Sequence, residues 1–357
     1  MNTPDLAAIT ERKLAAVQPV AARLLAEEDV VDAYYGGSLM AGLGTSRSDV
    51  DLFVLSDRKT GPLPAQHIHD RERLDVEVRS TADIQRLLEK FATYRVVDGN
   101  WSQATPVKDI DDAVRLAHSR PATPDGEAAR LREAMRDRLP VLRQLLINRA
   151  SIECLMIIED LFGAREMGDW GAVGLLGRNL LMEALQGYFV GCGEPYIGHK
   201  WAYVKLDRVG TANGLKDVAV PLLEADVSTP ERAAAVADER IALAQKLLSV
   251  ASTLGWNSPD AAWWTQWSGG RGGLGREQEW VPIRFGDDVK YESPNARMRQ
   301  LTPEATVLWA ALDGRPTQDG VTQAVRALDH LGSPQRTDLV ADFAERLATS
   351  GLVRPLV

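Results

Sequence analysis

The chain has 357 residues, 45% hydrophobic and 25% charged, the profile of a globular protein long enough for two or three domains. Its formal net charge of −9 excludes broad coating of nucleic acid, which needs a clustered excess of Lys and Arg. Cys154 and Cys192 are too few for a disulfide framework or a zinc site, and no run of about 18 apolar residues occurs, so the expectation is a cytoplasmic protein without a membrane span. Taken in chain order, residues 3–28 predict an amphipathic helix, because Leu6, Ile9, Leu14, Val17, Val20 and Leu24 recur at near-helical spacing. A β-branched and aromatic strand over 30–35 runs into Gly36-Gly37, and a second strand covers 50–55. After a polar, proline-containing stretch over 57–69, a third strand over 74–79 alternates Leu74, Val76 and Val78 with Asp75, Glu77 and Arg79. Residues 81–91 have helical periodicity, which completes an α/β pattern: a mixed sheet with helices packed on it.

Pro121, Pro124, Asp125 and Gly126 form the first expected linker. From there to about residue 254 the spacing is helical, as in Leu142-Leu145-Leu146 and Leu180-Leu181-Leu185-Tyr188, and predicts a bundle. The glycine-dense segment 267–275 is expected to be a flexible, solvated connection. Beyond it, two alternating segments, 281–285 and 289–292, flank a hairpin turn at Gly286-Asp287-Asp288. Thr302 can cap a helix that starts at Pro303, and Thr317 and Ser333 can begin two more. The expected domains are therefore 1–120, 126–262 and 280–357.

Asp49 and Asp51 stand two apart at the start of a strand, so both side chains share one face. Two carboxylates so close repel, and a hard divalent ion such as Mg²⁺ relieves that repulsion while bridging to phosphates. Glu77 and Asp75, on one face of the next strand, are candidates for a third carboxylate. Gly36-Gly37-Ser38 supplies a turn where the backbone can approach phosphate, with Thr45 and Ser46 as further hydroxyl donors. Such a set suits in-line phosphoryl transfer, one carboxylate accepting the proton of an attacking hydroxyl.

The order Gly-Gly-Ser, a short gap, then Asp49-Val50-Asp51 resembles the nucleotidyltransferase superfamily related to DNA polymerase beta. The stretch Asp75-Val76-Glu77-Val78-Arg79-Ser80 before a helix is similar to the third acidic strand of kanamycin-type nucleotidyltransferases. The resemblance covers about the first third of the chain. It implies that 1–120 is the catalytic domain, with a nucleoside triphosphate as substrate, Mg²⁺ as cofactor, and Asp49, Asp51 and Glu77 as catalytic and metal residues; Asp75 competes with Glu77. It implies a helical domain, 126–262, closing one side of an active cleft. There Lys200, after the turn 191–198, is the candidate for holding the β- and γ-phosphates, supplemented by Lys205. His199 is a candidate base or structural residue, Arg178 and Glu183 lie inside the preceding apolar helix, and His67 and His69 lack further metal ligands.

The last fifth carries Leu308-Trp309, then Asp313-Gly314-Arg315-Pro316-Thr317, and ends through Phe343 and Leu347 to Gly351-Leu352-Val353. That order resembles PqqD-like peptide-binding domains, small winged helices that recognise precursor peptides. The resemblance implies a leader peptide as a partner, received by a strand edge. Asp338, Asp342 and Glu345 in the last helix argue against DNA. The reading of the whole chain is an enzyme that moves a nucleoside monophosphate to a hydroxyl of a small molecule or peptide. The alternatives are an aminoglycoside-type enzyme and an inactive, peptide-binding relative.

Overall fold

The computed structural model describes residues 5–56, 65–295, 297–333 and 337–356. The start of the first expected helix, residues 57–64 of the polar stretch, and residues 334–336 after Ser333 lie outside them. By its contacts the chain divides into two compact units, Met1–Tyr94 with Thr105–Leu142, and Arg95–Ala104 with Arg143–Val357.

The first unit opens with α1 (Leu6–Leu25), started by Asp5, whose carboxylate accepts from the amides of Ala7 and Ala8 at 3.0 and 3.3 Å. There follow β1 (Val30–Gly36), a single turn α2 (Gly37–Met40), β2 (Val50–Ser56), β3 (Ala65–His69), β4 (Glu72–Ser80), α3 (Thr81–Thr93), α4 (Val107–Ala117), β5 (Arg120–Pro121) and α5 (Glu127–Arg136). The sheet order is β3-β4-β2-β1-β5, with β2 parallel to β4 and the remaining pairs antiparallel, the mixed sheet that the alternation predicts. Strand periodicity sorts the side chains. Val50, Leu52 and Val54 of β2 and Leu74 and Val76 of β4 form a core with Leu14, Val17 and Val20 of α1. Phe53 lies on the opposite face and stacks on Tyr34, ring centroids 5.0 Å apart. The end of the polar, proline-containing stretch, where the sequence predicts no strand, contains β3, paired with β4 from Ala65 opposite Val76 to His69 opposite Glu72.

The second unit holds most of α6 (Leu139–Glu166), then α7 (Trp170–Gly191), α8 (Ala202–Lys205), α9 (Leu215–Leu223) and α10 (Pro230–Asn257). It continues with β6 (Leu274–Arg276), β7 (Val281–Phe285), β8 (Asp288–Glu292), β9 (Arg299–Leu301), α11 (Pro303–Ala311), α12 (Thr317–His330), α13 (Thr337–Thr349) and β10 (Val353–Pro355). Helices α7 and α10 meet through glycine: a Cβ on Gly255 would stand 2.5 Å from the Gly191 Cα. The hairpin and the Thr302 cap are present, and β9 extends the hairpin into a three-stranded antiparallel sheet. Among the described residues no helix is long and apolar enough to cross a membrane.

Two expected linkers are corrected. Pro121 pairs with Tyr34 of β1, the Ala122 amide donates to Ala33 O at 2.9 Å, and buried Asp32 accepts from the Ala128 amide at 2.8 Å, capping α5. Residues 105–142 thus belong with the sheet. Segment 267–275 is equally bound: Trp267 is buried, Gly270 donates to Asp313 O at 3.1 Å, Gly272 to Leu356 O at 3.0 Å, and Gly273 to Gly314 O at 3.0 Å. The glycines serve close backbone approach, not flexibility. Because α10 also packs on α11 and β7, residues 143–262 and 280–357, expected in the separate domains 126–262 and 280–357, share one compact unit, while 126–142 goes with the sheet.

A Cβ on Gly273 would fall 1.7 Å from Arg315 O. Gly273→Ala should therefore cost about 1–3 kcal/mol in urea unfolding. A flexible linker would tolerate the same change with none.

Candidate active site

The parallel register of β2 and β4 sets the site. Asp51 lies opposite Asp75, and Glu77 lies two positions further on, opposite Phe53. Asp49, just before β2, accepts from Arg73 Nη2 at 2.6 Å and is hydrogen-bonded to Asp75. Asp49, Asp51 and Asp75 are therefore gathered at one end of two strands. Glu77 is drawn off by Arg79, whose Nη2 is 2.9 Å from Glu77 Oε1 and 2.7 Å from Asp112 Oδ1, with its guanidinium carbon 5.7 Å from the Phe53 ring centroid.

Both glycines of the turn are required by what lies against them. A Cβ on Gly36 would stand 2.7 Å from the Phe53 ring, and one on Gly37 only 1.7 Å from Asp51 Oδ2. Gly37 also has φ +77, in the left-handed region that favours glycine. The Asp51 carboxylate thus lies directly against the turn. The Ser38 carbonyl accepts from the amides of Leu43 and Gly44 at 2.8 and 3.1 Å, which closes the loop. Thr45 and Ser46 are exposed on it; Thr45 N donates to Ser48 Oγ at 2.9 Å.

Electrostatics follow from this crowding. Burial raises the Asp51 carboxyl to about 6, with the charge of Asp49 adding to the shift and Arg115 of α4 opposing it. Asp75 is also raised, by burial, by the charge of Asp49 and by its hydrogen bond to Asp49. Burial opposes ionisation of Asp49, but the hydrogen bonds from Arg73 and its own backbone, with the Arg73 charge, outweigh it and hold that carboxyl low. Asp75 Oδ1 is buried and has no hydrogen-bond partner among the described residues.

Three carboxylates are the donor set a hard cation takes, and the orphaned Asp75 oxygen fits one. As they stand, no three Asp, Glu, His or Cys side chains among the described residues are grouped to enclose an ion. Asp49 would have to exchange Arg73 for it. Arg73 and Arg115 are additions to the sequence reading. Arg73 was legible as a further alternating position of the acidic strand, whereas Arg115, on a helix 64 residues after Asp51, carried no signal.

Lys200 belongs to the second unit, exposed, with Nζ 4.9 Å from the Trp201 ring centroid. Lys205 is corrected: its ammonium is buried and donates to the carbonyls of Tyr196 and Glu194, so it holds the 191–198 turn together; burial pushes it down to about 8. His199 Nε2 is 2.8 Å from Glu183 Oε1, which accounts for both residues as a pair.

No family model matches the chain, and no curated protein matches it. Among solved structures it is similar to a nucleotidyltransferase-like protein from Exiguobacterium sibiricum, at 12% identity over 68% of this chain and 76% of that one, with a TM-score of 0.40. At that TM-score the likeness establishes neither the fold family nor the activity of this chain.

The raised Asp51 carboxyl has a stability consequence. The folded state keeps this proton to about pH 6, whereas the unfolded chain releases it near 3.8. Between those values the folded state binds more protons, so stability falls as pH rises. In metal-free buffer, Asp51→Asn should gain on the wild type across this window, reaching roughly 3 kcal/mol by pH 7. Urea unfolding at several pH values measures it, and a pH-independent difference would contradict the assignment.

Proposed function

We propose that the chain is a metal-dependent nucleotidyltransferase, which moves a nucleoside monophosphate from a nucleoside triphosphate to a hydroxyl and releases pyrophosphate. The observation that carries this reading is the β2–β4 register, which places Asp75 beside Asp51, with Asp49 hydrogen-bonded to Asp75 and a glycine turn against Asp51. Asp49 and Asp51 would hold Mg²⁺. Asp75, with its unpartnered oxygen, is the favoured third ligand over Glu77, which is engaged with Arg79. Bound there, the ion supplies charge neutralisation at the triphosphate. Gly37 leaves room for the Asp51 carboxylate against the turn, the Ser38 hydroxyl and those of Thr45 and Ser46 would donate to phosphate, and Arg73, once released from Asp49, would offer a guanidinium to the departing pyrophosphate.

Asp51→Asn is expected to abolish Mg²⁺-dependent pyrophosphate release, and Asp75→Asn to lower kcat by about a hundredfold or more, while Glu77→Gln stays within about tenfold of wild type. Steady-state assays with the four ribonucleoside triphosphates and a hydroxyl acceptor read all three. A dead Glu77→Gln with an active Asp75→Asn would return the third place to Glu77.

A peptide or peptide-bound acceptor is favoured over a free small molecule by the C-terminal sheet. Strand β9 is one of its two edges, and beside it runs a groove of about 760 Å³ with Leu301, Leu308, Phe343 and Leu347 in its walls and Arg299 and Arg346 also lining it. An unpaired strand edge over an apolar groove suits an extended peptide, in line with the PqqD-like resemblance. Incubation with nucleoside triphosphates, Mg²⁺ and cell extract should add a nucleotide mass to a peptide by mass spectrometry. Phe343→Asp should lose that product yet keep turnover on a free hydroxyl acceptor; labelling confined to small molecules would reject the peptide reading.

A further inference from the structure

Asp51 and Phe53 stand two apart on β2 and so share a face of the sheet. Helix α4 is tied to that face through Arg79, which lies over the Phe53 ring and reaches Asp112 Oδ1 at 2.7 Å. Arg115 follows Asp112 by three residues, so it projects from the same side of α4 about 4.5 Å further along the helix. Its charge acts on Tyr34, which pairs with Phe53 across the strands, and on Asp51. Position and field agree: α4 carries Arg115 over the sheet to within electrostatic reach of the carboxylate site.

The cations around it are taken: Arg73 by Asp49, Arg79 by Glu77 and Asp112, and Lys108 by Asp112. Arg115 is not. Half-buried, it makes no side-chain hydrogen bond and no ion pair among the described residues, and its guanidinium nitrogens reach accessible surface. Asp111 stands at the i, i+4 position from which an acid pairs with a base, yet no ion pair joins the two. The end of the helix does not need Arg115 either, because the Val114 and Leu116 carbonyls accept from His118 Nδ1 at 2.9 Å and Ser119 Oγ at 2.7 Å. An arginine that served only to neutralise Asp51 would close on it, and this one stays apart.

We propose that Arg115 binds the phosphate chain of the nucleoside triphosphate, giving the carboxylate site a cation with no protein partner to surrender. This role rests on the nucleotidyltransferase reading of the site. The several N–H donors of a guanidinium match the oxygens of phosphate, the anion that a divalent ion on Asp49 and Asp51 also attracts. Arg73 differs, because it reaches substrate only by giving up Asp49. A contact made equally before and during the reaction belongs to substrate affinity, so its loss is read in KM more than in kcat.

The test uses the full-length chain with Mg²⁺. Each of the four ribonucleoside triphosphates is titrated calorimetrically into wild type, Arg115→Gln and Arg115→Lys, and steady-state kinetics with a hydroxyl acceptor are measured in parallel. Arg115→Gln should weaken triphosphate binding and raise its KM about tenfold, with kcat within about threefold of wild type. Arg115→Lys, which keeps the charge without the fork, should recover part of the loss. Urea midpoints of both variants check that the fold is intact. Unchanged affinity in Arg115→Gln, or no saturable triphosphate binding by the wild type, overturns the proposal. Binding that depends on Arg115 without any turnover upholds this role and rejects the transfer reading; turnover with a KM indifferent to Arg115 does the reverse.

Discussion

Repulsion among Asp49, Asp51 and Asp75 is the constraint around which the first unit is built. Three carboxylates at one end of two parallel strands cannot all ionise without compensation, and the surroundings answer with cations and with space. Arg73 spends its guanidinium on Asp49, and the charge of Arg115 eases Asp51. Gly37 yields the volume that the Asp51 carboxylate occupies, and Gly36 does the same for the Phe53 ring one strand away. Phe53 in turn stacks with Tyr34 and lies under Arg79, so the floor beneath the acidic end is fixed by aromatic contact. The invariant demand is steric and electrostatic together: no side chain larger than hydrogen fits where the acid must stand.

The second unit solves a different problem with the same residue types. Its buried cations are turned inward onto backbone carbonyls, several of them at helix ends where those groups have no partner. Arg276 donates to Ala310 O and Leu312 O at the close of α11, and Arg240 donates to Leu222 O near the close of α9. Lys205 does so for the turn after α7, and Arg284 for Ser252 O in α10. Burial of a guanidinium is costly unless its donors are used, and here the donors also satisfy carbonyls that would otherwise be orphaned.

Local periodicity made the strands and the paired aspartates readable from sequence, because side chains two apart share a face whatever the tertiary context. The third carboxylate was not readable in the same way. Asp75 and Glu77 satisfy the alternation equally, and only the register between strands separated by β3 places one of them beside Asp51. Glycine misled for a related reason. A residue without a side chain serves a mobile connection and a tight backbone crossing alike, and at Gly270 and Gly273 the deciding fact, the approach of Arg315, lies more than 40 residues away in the chain. Pro121 and Gly126 read as punctuation, yet Asp32 of β1 is what fixes the helix behind them.

The preference for Asp75 over Glu77 has a basis beyond register. Glu77 lies about 7 Å further along the strand than Asp75, two residues at some 3.3 Å each, and its carboxylate already compensates Arg79 over the Phe53 ring. Turning it toward Asp51 would leave that half-buried guanidinium with Asp112 alone. Asp49 can reach a metal only by releasing Arg73, an exchange of one cation for another. Asp75 Oδ1 has no donor to give up, so of the candidate oxygens it is the one whose desolvation the fold has already met without recompense. A cation is the partner that would repay it, since the same contact relieves the repulsion that holds the protons of Asp51 and Asp75 in place.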